Sequence, residues 1–285
     1  MMQATDFMHR VSVVIPALDE ENTVGQVVAA IAAEQPGEII VIDADSSDAT
    51  AHRAKIAGAK VINWQDAAPG RGVPTQPGKG ESLWRGVAEA RGDYVVFVDA
   101  DLVEPPAELV SRLARPLAED STKQLVKPIY RRGYQGADSG GGRVTELTAK
   151  PLLRLLFPHL AHIAQPLGGE YAIRRSAALT LPFVGGFGVE AGLLIDIAGA
   201  YGAAAITQVE LGTRHHRNKP LAELAPMADV VAATILGRAE QYPCLGSDEL
   251  GRTTEATHLK LNGAISALTQ TQSLERPSLS DYGVC

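Results

Sequence analysis

Tyr94-Val95-Val96-Phe97-Val98-Asp99-Ala100-Asp101 is the stretch on which the fold turns. A continuous run of strand-forming residues suits a strand buried on both faces, and two carboxylates follow directly at its end. Residues two apart share one side of an extended chain, so Asp99 and Asp101 can reach a common ion. Their oxygens suit Mg2+ or Mn2+, hard cations that keep water and substrate phosphate oxygens as their remaining ligands. A bare Asp-x-Asp also serves as a loop or helix-capping pair; the strand before it is what favours the ion.

Similar runs lie upstream. Arg10 to Pro16 is β-branched and closed by proline, and Glu20 to Ala33 then shows apolar residues at helical intervals. Glu38 to Asp43 repeats the pattern, with Ser46, Ser47 and Asp48 as caps for a helix through Ala57, and Lys60 to Asn63 suits a third strand. Ala67 to Gly80 holds three prolines and four glycines and predicts a mobile loop over a site, followed by a helix from Glu81 to Arg91. Alternating strands and helices with apolar strands imply an α/β fold with a mostly parallel sheet flanked by helices. Such sheets bind ligands beyond the carboxyl ends of their strands, which gathers the loops at Ala17, Asp43, Lys79 and Asp99 on one rim.

Downstream, Leu125 to Tyr130 suits a strand, Arg131 to Arg143 a Gly-rich connection, and Val144 to Leu156 a helix interrupted near Pro151. A turn and strand are expected at Gly168 to Ile173, a helix at Val189 to Tyr201 and a strand at Ala204 to Leu211. Further helices are expected at Leu221 to Tyr242 and Thr257 to Thr269, and Ser278 to Cys285 reads as loose.

The full chain of 285 residues is 45% hydrophobic and 21% charged, with a formal net charge of −7, which argues against broad electrostatic binding of nucleic acid or anionic membrane. An acidic ligand must meet a local basic patch. The densest is Thr213-Arg214-His215-His216-Arg217-Asn218-Lys219, where histidine can complete a metal shell and arginine, asparagine and lysine can hold carboxylate or phosphate. The same run also suits a solvated turn. Cys244 and Cys285 form no zinc-binding spacing and fit a reducing, cytoplasmic setting. Ala191 to Ile206 is broken by Asp196 and three glycines, so no membrane span is expected.

Other motifs leave alternatives open. Asp43-Ala44-Asp45 duplicates the Asp-Ala-Asp pattern, but the following Ser46-Ser47-Asp48 favours helix capping and hydrogen bonding to a ribose or base. Pro77-Gly78-Lys79-Gly80 lacks P-loop spacing, and no G-x-G-x-x-G follows the first strand, which disfavours a dinucleotide-dependent dehydrogenase. Lys79 is then an ordinary loop lysine or a phosphate-binding charge on a lid. Glu190 begins a helix, where a helix-dipole role and a sugar-hydroxyl contact are both open.

Val13 to Glu21, Val41 to Asp48, Gly78 to Gly80 and Phe97 to Asp101 occur in the order seen in nucleotide-sugar transferases of the GT-A fold. With Gly142 to Thr148, Gly168 to Tyr171 and Arg214 to Asn218, the chain resembles glucosyl-3-phosphoglycerate synthases, retaining enzymes of methylglucose lipopolysaccharide synthesis. With no internal repeat and no sharp linker, one domain over residues 1–285 is expected, which the resemblance makes a GT-A domain: a nucleotide-sugar half at 10–125, an acceptor half at 126–220, a helical extension at 221–275 and a loose tail at 276–285. It implies that UDP-glucose is held by Pro16, Ala17, Leu18, Glu20, Ser46, Lys79, Asp99, Ala100 and Asp101. Asp101 and His216 would hold Mg2+ or Mn2+, and Lys79, Asp101 and Glu190 would serve catalysis. Glu190 would also hold sugar hydroxyls, and Gly142, Arg143, Thr145, Arg214 and Asn218 would meet 3-phosphoglycerate and the sugar. A homodimer is implied as well. The pattern departs at Asp19, where asparagine is more usual and an added negative charge beside a nucleotide is unexpected.

Overall fold

The computed structural model describes residues 7–69, 73–134, 137–140, 142–214, 221–242 and 275–284. Four strands, β1 (Val11–Ala17), β2 (Glu38–Asp43), β3 (Lys60–Asn63) and β4 (Tyr94–Phe97), lie parallel in the order β3-β2-β1-β4. Helices α1 (Val24–Ala32), α2 (Thr50–Ile56) and α3 (Lys79–Glu89) connect them. β1, β2 and β4 are buried along almost their whole length and largely apolar because both faces are covered. Val13, Ile15 and Val41 face one buried cluster with α1, while Val14, Ile40 and Phe97 face another with α3.

Beyond β4 comes α4 (Leu109–Glu119), then β5 (Leu125–Tyr134) and β6 (Ala137–Gly140), so much of the expected Gly-rich connection at Arg131 to Arg143 is strand. A π-helical turn at Thr145–Ala149 runs without a break into α5 (Lys150–Leu156). The helix continues across Pro151, and the irregularity expected near that proline takes the form of the π-helical turn directly before it. β7 (Tyr171–Arg174), α6 (Arg175–Thr180), α7 (Val189–Tyr201), β8 (Ile206–Arg214) and α8 (Leu221–Gln241) follow. Among the described residues no helix is long and apolar enough to cross a membrane.

The register of the later strands decides what reaches the rim. β7 runs antiparallel to β4 with Tyr171 opposite Phe97, which brings Gly169 and Glu170 beside the carboxyl end of β4. β5 is antiparallel to β7, and β8 is parallel to β5, so β8 points the same way as β4 and delivers Arg214 to the same rim.

Two further expectations are corrected. Lys79 is the first residue of α3 and not part of the preceding loop. The tail is not loose: Leu279 is fully buried, Trp84 Nε1 donates to the Pro277 carbonyl at 3.0 Å, and the Trp84 and Tyr282 rings meet edge to face at 5.4 Å. The expected helix at Thr257 to Thr269 lies outside the described residues.

Candidate active site

A cavity of about 550 Å³ opens at the carboxyl ends of β1 and β4. One wall carries Pro16, Ala17, Leu18 and Glu20 from the β1 loop with Asp99, Ala100 and Asp101 from the β4 loop. Gly142, Arg143, Thr145, Lys79, Glu190 and Arg214 also line the cavity. Thirteen of the sixteen expected site residues therefore share one space. Ser46 does not line it; its hydroxyl accepts the Asp19 N–H at 3.0 Å and braces the β1 loop. His216 and Asn218 lie outside the described residues.

Asp99 is the hub of the charged groups. Its Oδ1 lies 2.5 Å from Lys79 Nζ, which also pairs with Glu190 Oε1 at 2.7 Å. Its Oδ2 takes Arg214 Nη2 at 2.7 Å; that guanidinium reaches Glu170 Oε1 at 2.7 Å and Asp101 Oδ1 at 3.5 Å. Burial opposes the Lys79 charge, yet Asp99 and Glu190 outweigh it and hold its pKa well above the usual lysine value. Burial likewise opposes the Arg214 charge, and Glu170, Tyr130, Asp99 and Asp101 raise its pKa despite it. Both cations stay charged at any working pH. Next to them, burial and then Glu190 raise the Tyr171 hydroxyl well above its usual pKa, so it stays neutral.

This donor set fits a divalent cation. Four carboxylates, Asp99, Asp101, Glu170 and Glu190, face the two cations Lys79 and Arg214, leaving a formal surplus of two negative charges. Among the described residues no group of three or more His, Cys, Asp or Glu encloses a metal by itself. Such an ion would keep ligands from outside that set, as Mg2+ usually does.

Asp19 resolves without conflict. Its φ of 54° is a left-handed position that Asp and Asn tolerate, and its Oδ1 accepts the Ser47 N–H at 2.8 Å. Its charge is therefore engaged within the loop. Asp45 is similarly local, accepting from Asn63, Trp64 and Gln65 side chains at 2.8, 2.8 and 2.7 Å. Glu170, buried against Arg214, is a charged residue of the site that sequence reasoning missed, its single signal being its place just before β7. Leu224 and Met227 of α8 reach the cavity as well, which a helical extension does not announce.

A sequence profile described as Glycosyl transferase family 2 matches residues 12–177. A glucosyl-3-phosphoglycerate synthase of Mycolicibacterium paratuberculosis is 49% identical over 247 residues, covering 83% of this chain and 74% of that protein. The one from Petrotoga mobilis is 38% identical over 284 residues, covering 95% and 86%. A crystal structure of glucosyl-3-phosphoglycerate synthase from Mycobacterium tuberculosis, in complex with Mn2+, UDP-glucose and phosphoglyceric acid, superimposes with a TM-score of 0.79 at 39% identity, covering 98% of this chain and 95% of that one.

Proposed function

This chain belongs to the glucosyl-3-phosphoglycerate synthase family within glycosyl transferase family 2, and from that membership we propose that it transfers glucose from UDP-glucose to the 2-hydroxyl of 3-phosphoglycerate, releasing UDP with retention at the anomeric carbon. The observation that carries this reading is a single cavity lined by the β1 and β4 loop ends, by Gly142 to Thr145 and by the bridged Asp99, Lys79 and Glu190.

Uridine binds along Pro16, Ala17, Leu18 and Glu20, with Ser46 holding that loop in shape. Asp99 and Ala100 steady the nucleotide-sugar side, and Glu190 takes sugar hydroxyls. Gly142, Arg143, Thr145 and Asn218 receive the carboxylate and phosphate of the acceptor, and Arg214 borders the sugar. Holding both substrates in one orientation is itself a large part of the rate. Lys79 is a fixed positive charge and not a base, because its two carboxylate partners keep it protonated. Glu190 is tied to the same ammonium, which weakens it as a nucleophile. Same-face attack is then favoured, with the leaving phosphate accepting the proton of the acceptor hydroxyl. Asp101 and His216 would hold Mg2+ or Mn2+, which when bound neutralises charge developing on the leaving diphosphate.

The chain is read as one domain, its donor half at 10–125 and its acceptor half at 126–220. Exposed Leu147 and Leu155, on the helical run that includes α5, offer apolar surface for a homodimer. Soluble phosphorylated substrates fit a cytoplasmic setting. The test measures UDP release with and without 3-phosphoglycerate and Mg2+ or Mn2+, with the product anomer read by NMR. Acceptor-dependent release of UDP and an α-linked product are expected. UDP-glucose binding without acceptor-dependent release overturns the enzyme reading, and faster turnover with a GDP-linked sugar overturns the donor. Trapping a glycosyl adduct on Glu190 in a single turnover overturns same-face attack.

A further inference from the structure

Glu275 and Arg276 carry opposite charges on adjacent residues, and each enters a different buried ion network. Arg276 donates from Nε to Glu81 Oε2 at 2.5 Å and from Nη2 to Glu81 Oε1 at 2.9 Å, with a further bond to the Pro74 carbonyl. Glu81 also accepts from Arg85 Nε at 2.6 Å, and the rest of that guanidinium holds the Ala67 and Val73 carbonyls at 2.9 and 2.8 Å. Glu81 lies in the first turn of α3, which begins at Lys79. Glu275 instead accepts from Arg238 of α8, whose guanidinium also grips Asp196 of α7 at 2.7 and 2.9 Å. α7 is the helix that carries Glu190.

The backbone joins the two prongs. Arg276 pairs in both directions with Phe183, at 2.9 and 2.8 Å, just where the chain enters the Gly185 to Gly188 turn that leads into α7. The start of α3 packs directly on this turn: a Cβ at Gly78 would lie 2.6 Å from Gly186 Cα, so the two backbones have little slack. We propose that Glu275-Arg276 is a two-pronged clasp that registers α3 against α7, so that Lys79 meets Glu190 and Asp99. Arg276 is a positioning residue for sugar transfer, acting through Glu81 and touching no substrate. The inference rests on the glucosyl-transfer reading above.

The test uses the full chain, with Arg276→Gln, Arg276→Lys, and Val27→Ala on the opposite face of the sheet as a control for general destabilisation. Arg276→Gln is expected to lower kcat about tenfold or more, since errors near 1 Å in a reacting constellation cost up to about a hundredfold. KM for 3-phosphoglycerate stays within about twofold, because Arg143 and Thr145 lie outside the clasp. Amide exchange over residues 79–83 quickens, and Arg276→Lys recovers part of kcat by restoring the charge without the fork. Val27→Ala keeps kcat while lowering the thermal midpoint. Wild-type kcat in Arg276→Gln, an equal loss of kcat in Val27→Ala, or a loss confined to KM for 3-phosphoglycerate overturns the clasp. If Arg276→Gln does not fold, Glu275→Gln supplies the test: a fall in kcat supports the clasp and an unchanged kcat overturns it. If the wild type does not turn over UDP-glucose with 3-phosphoglycerate, the functional reading fails on its own. Exchange then judges the clasp: faster exchange over 79–83 in Arg276→Gln supports it, and unchanged exchange overturns it.

Discussion

Gly169→Ala puts the charged hub under direct test. A Cβ at Gly169 would lie 2.2 Å from Asp99 Oδ2 and 2.6 Å from both Cγ and Oδ1. Ordinary contact begins near 3.4 Å, so the carboxylate must retreat by about 1.2 Å. It has little room to do so while keeping Lys79 at 2.5 Å and Arg214 at 2.7 Å. The φ of Gly169 is not left-handed, so alanine brings no backbone strain and the effect is confined to the hub. Overpacking of about 1–3 kcal/mol opposes the roughly 0.4–1 kcal/mol that Gly→Ala gains by restricting the unfolded chain. The thermal midpoint should therefore fall by only a few degrees, at roughly 2–4 °C per kcal/mol. Turnover should fall much further, up to about a hundredfold in kcat, because displacement of the hub moves both cations. Steady-state UDP release alongside a thermal melt reads both quantities. Wild-type kcat with an unchanged melt would refute the reasoning, since Asp99 would then move freely without cost to the chemistry.

Asp101→Ala should abolish turnover at any Mg2+ or Mn2+ concentration with little change in the thermal midpoint, because its half-exposed side chain contributes little to the core; a metal titration of both proteins checks this. Chelation of the wild type should reproduce the loss, and readdition of metal should reverse it. Arg143→Ala should raise KM for 3-phosphoglycerate about tenfold or more while leaving KM for UDP-glucose nearly unchanged, and substrate titrations separate the two. Asp196 is buried, and burial outweighs Arg238 to raise its pKa from 3.8 to about 6. The folded state therefore binds the extra proton, and up to about 3 kcal/mol of stability present below pH 3.8 is lost as the pH rises through 6. Urea unfolding from pH 4 to pH 7 should show a shallower decline in Asp196→Asn than in the wild type.

The donor side was legible because it depends on local pattern. β-Branched runs ending in Pro16, Asp43 and Asp99 specify parallel strands, and parallel strands place their following loops on one rim whatever the rest of the chain does. α4 was not expected, although Leu109, Val110, Leu113, Ala114 and Leu117 repeat at helical spacing; its first turn has no side-chain cap and Pro116 stands inside it, so local signals for its ends are weak. The tail misled for a related reason. Its composition is that of a disordered end, but the buried Glu81 and Trp84 supply partners that no local window contains.

By itself the sequence determined the α/β class and the rim, since strand periodicity acts over a few residues, while most of the residues expected to line the cavity came from the resemblance to the family. Tertiary structure alone decided how those charges are shared. Asp101 was expected to act with His216, which lies outside the described residues, and Asp99 to steady the donor; in the fold Asp99 joins Lys79 to Arg214, and Glu170 meets the same Nη2 of that guanidinium. These partners stand far apart along the chain and meet because β7 runs antiparallel to β4 while β8 returns parallel to it. That register is set by burial of the sheet's two faces, a global term that no short stretch of residues encodes.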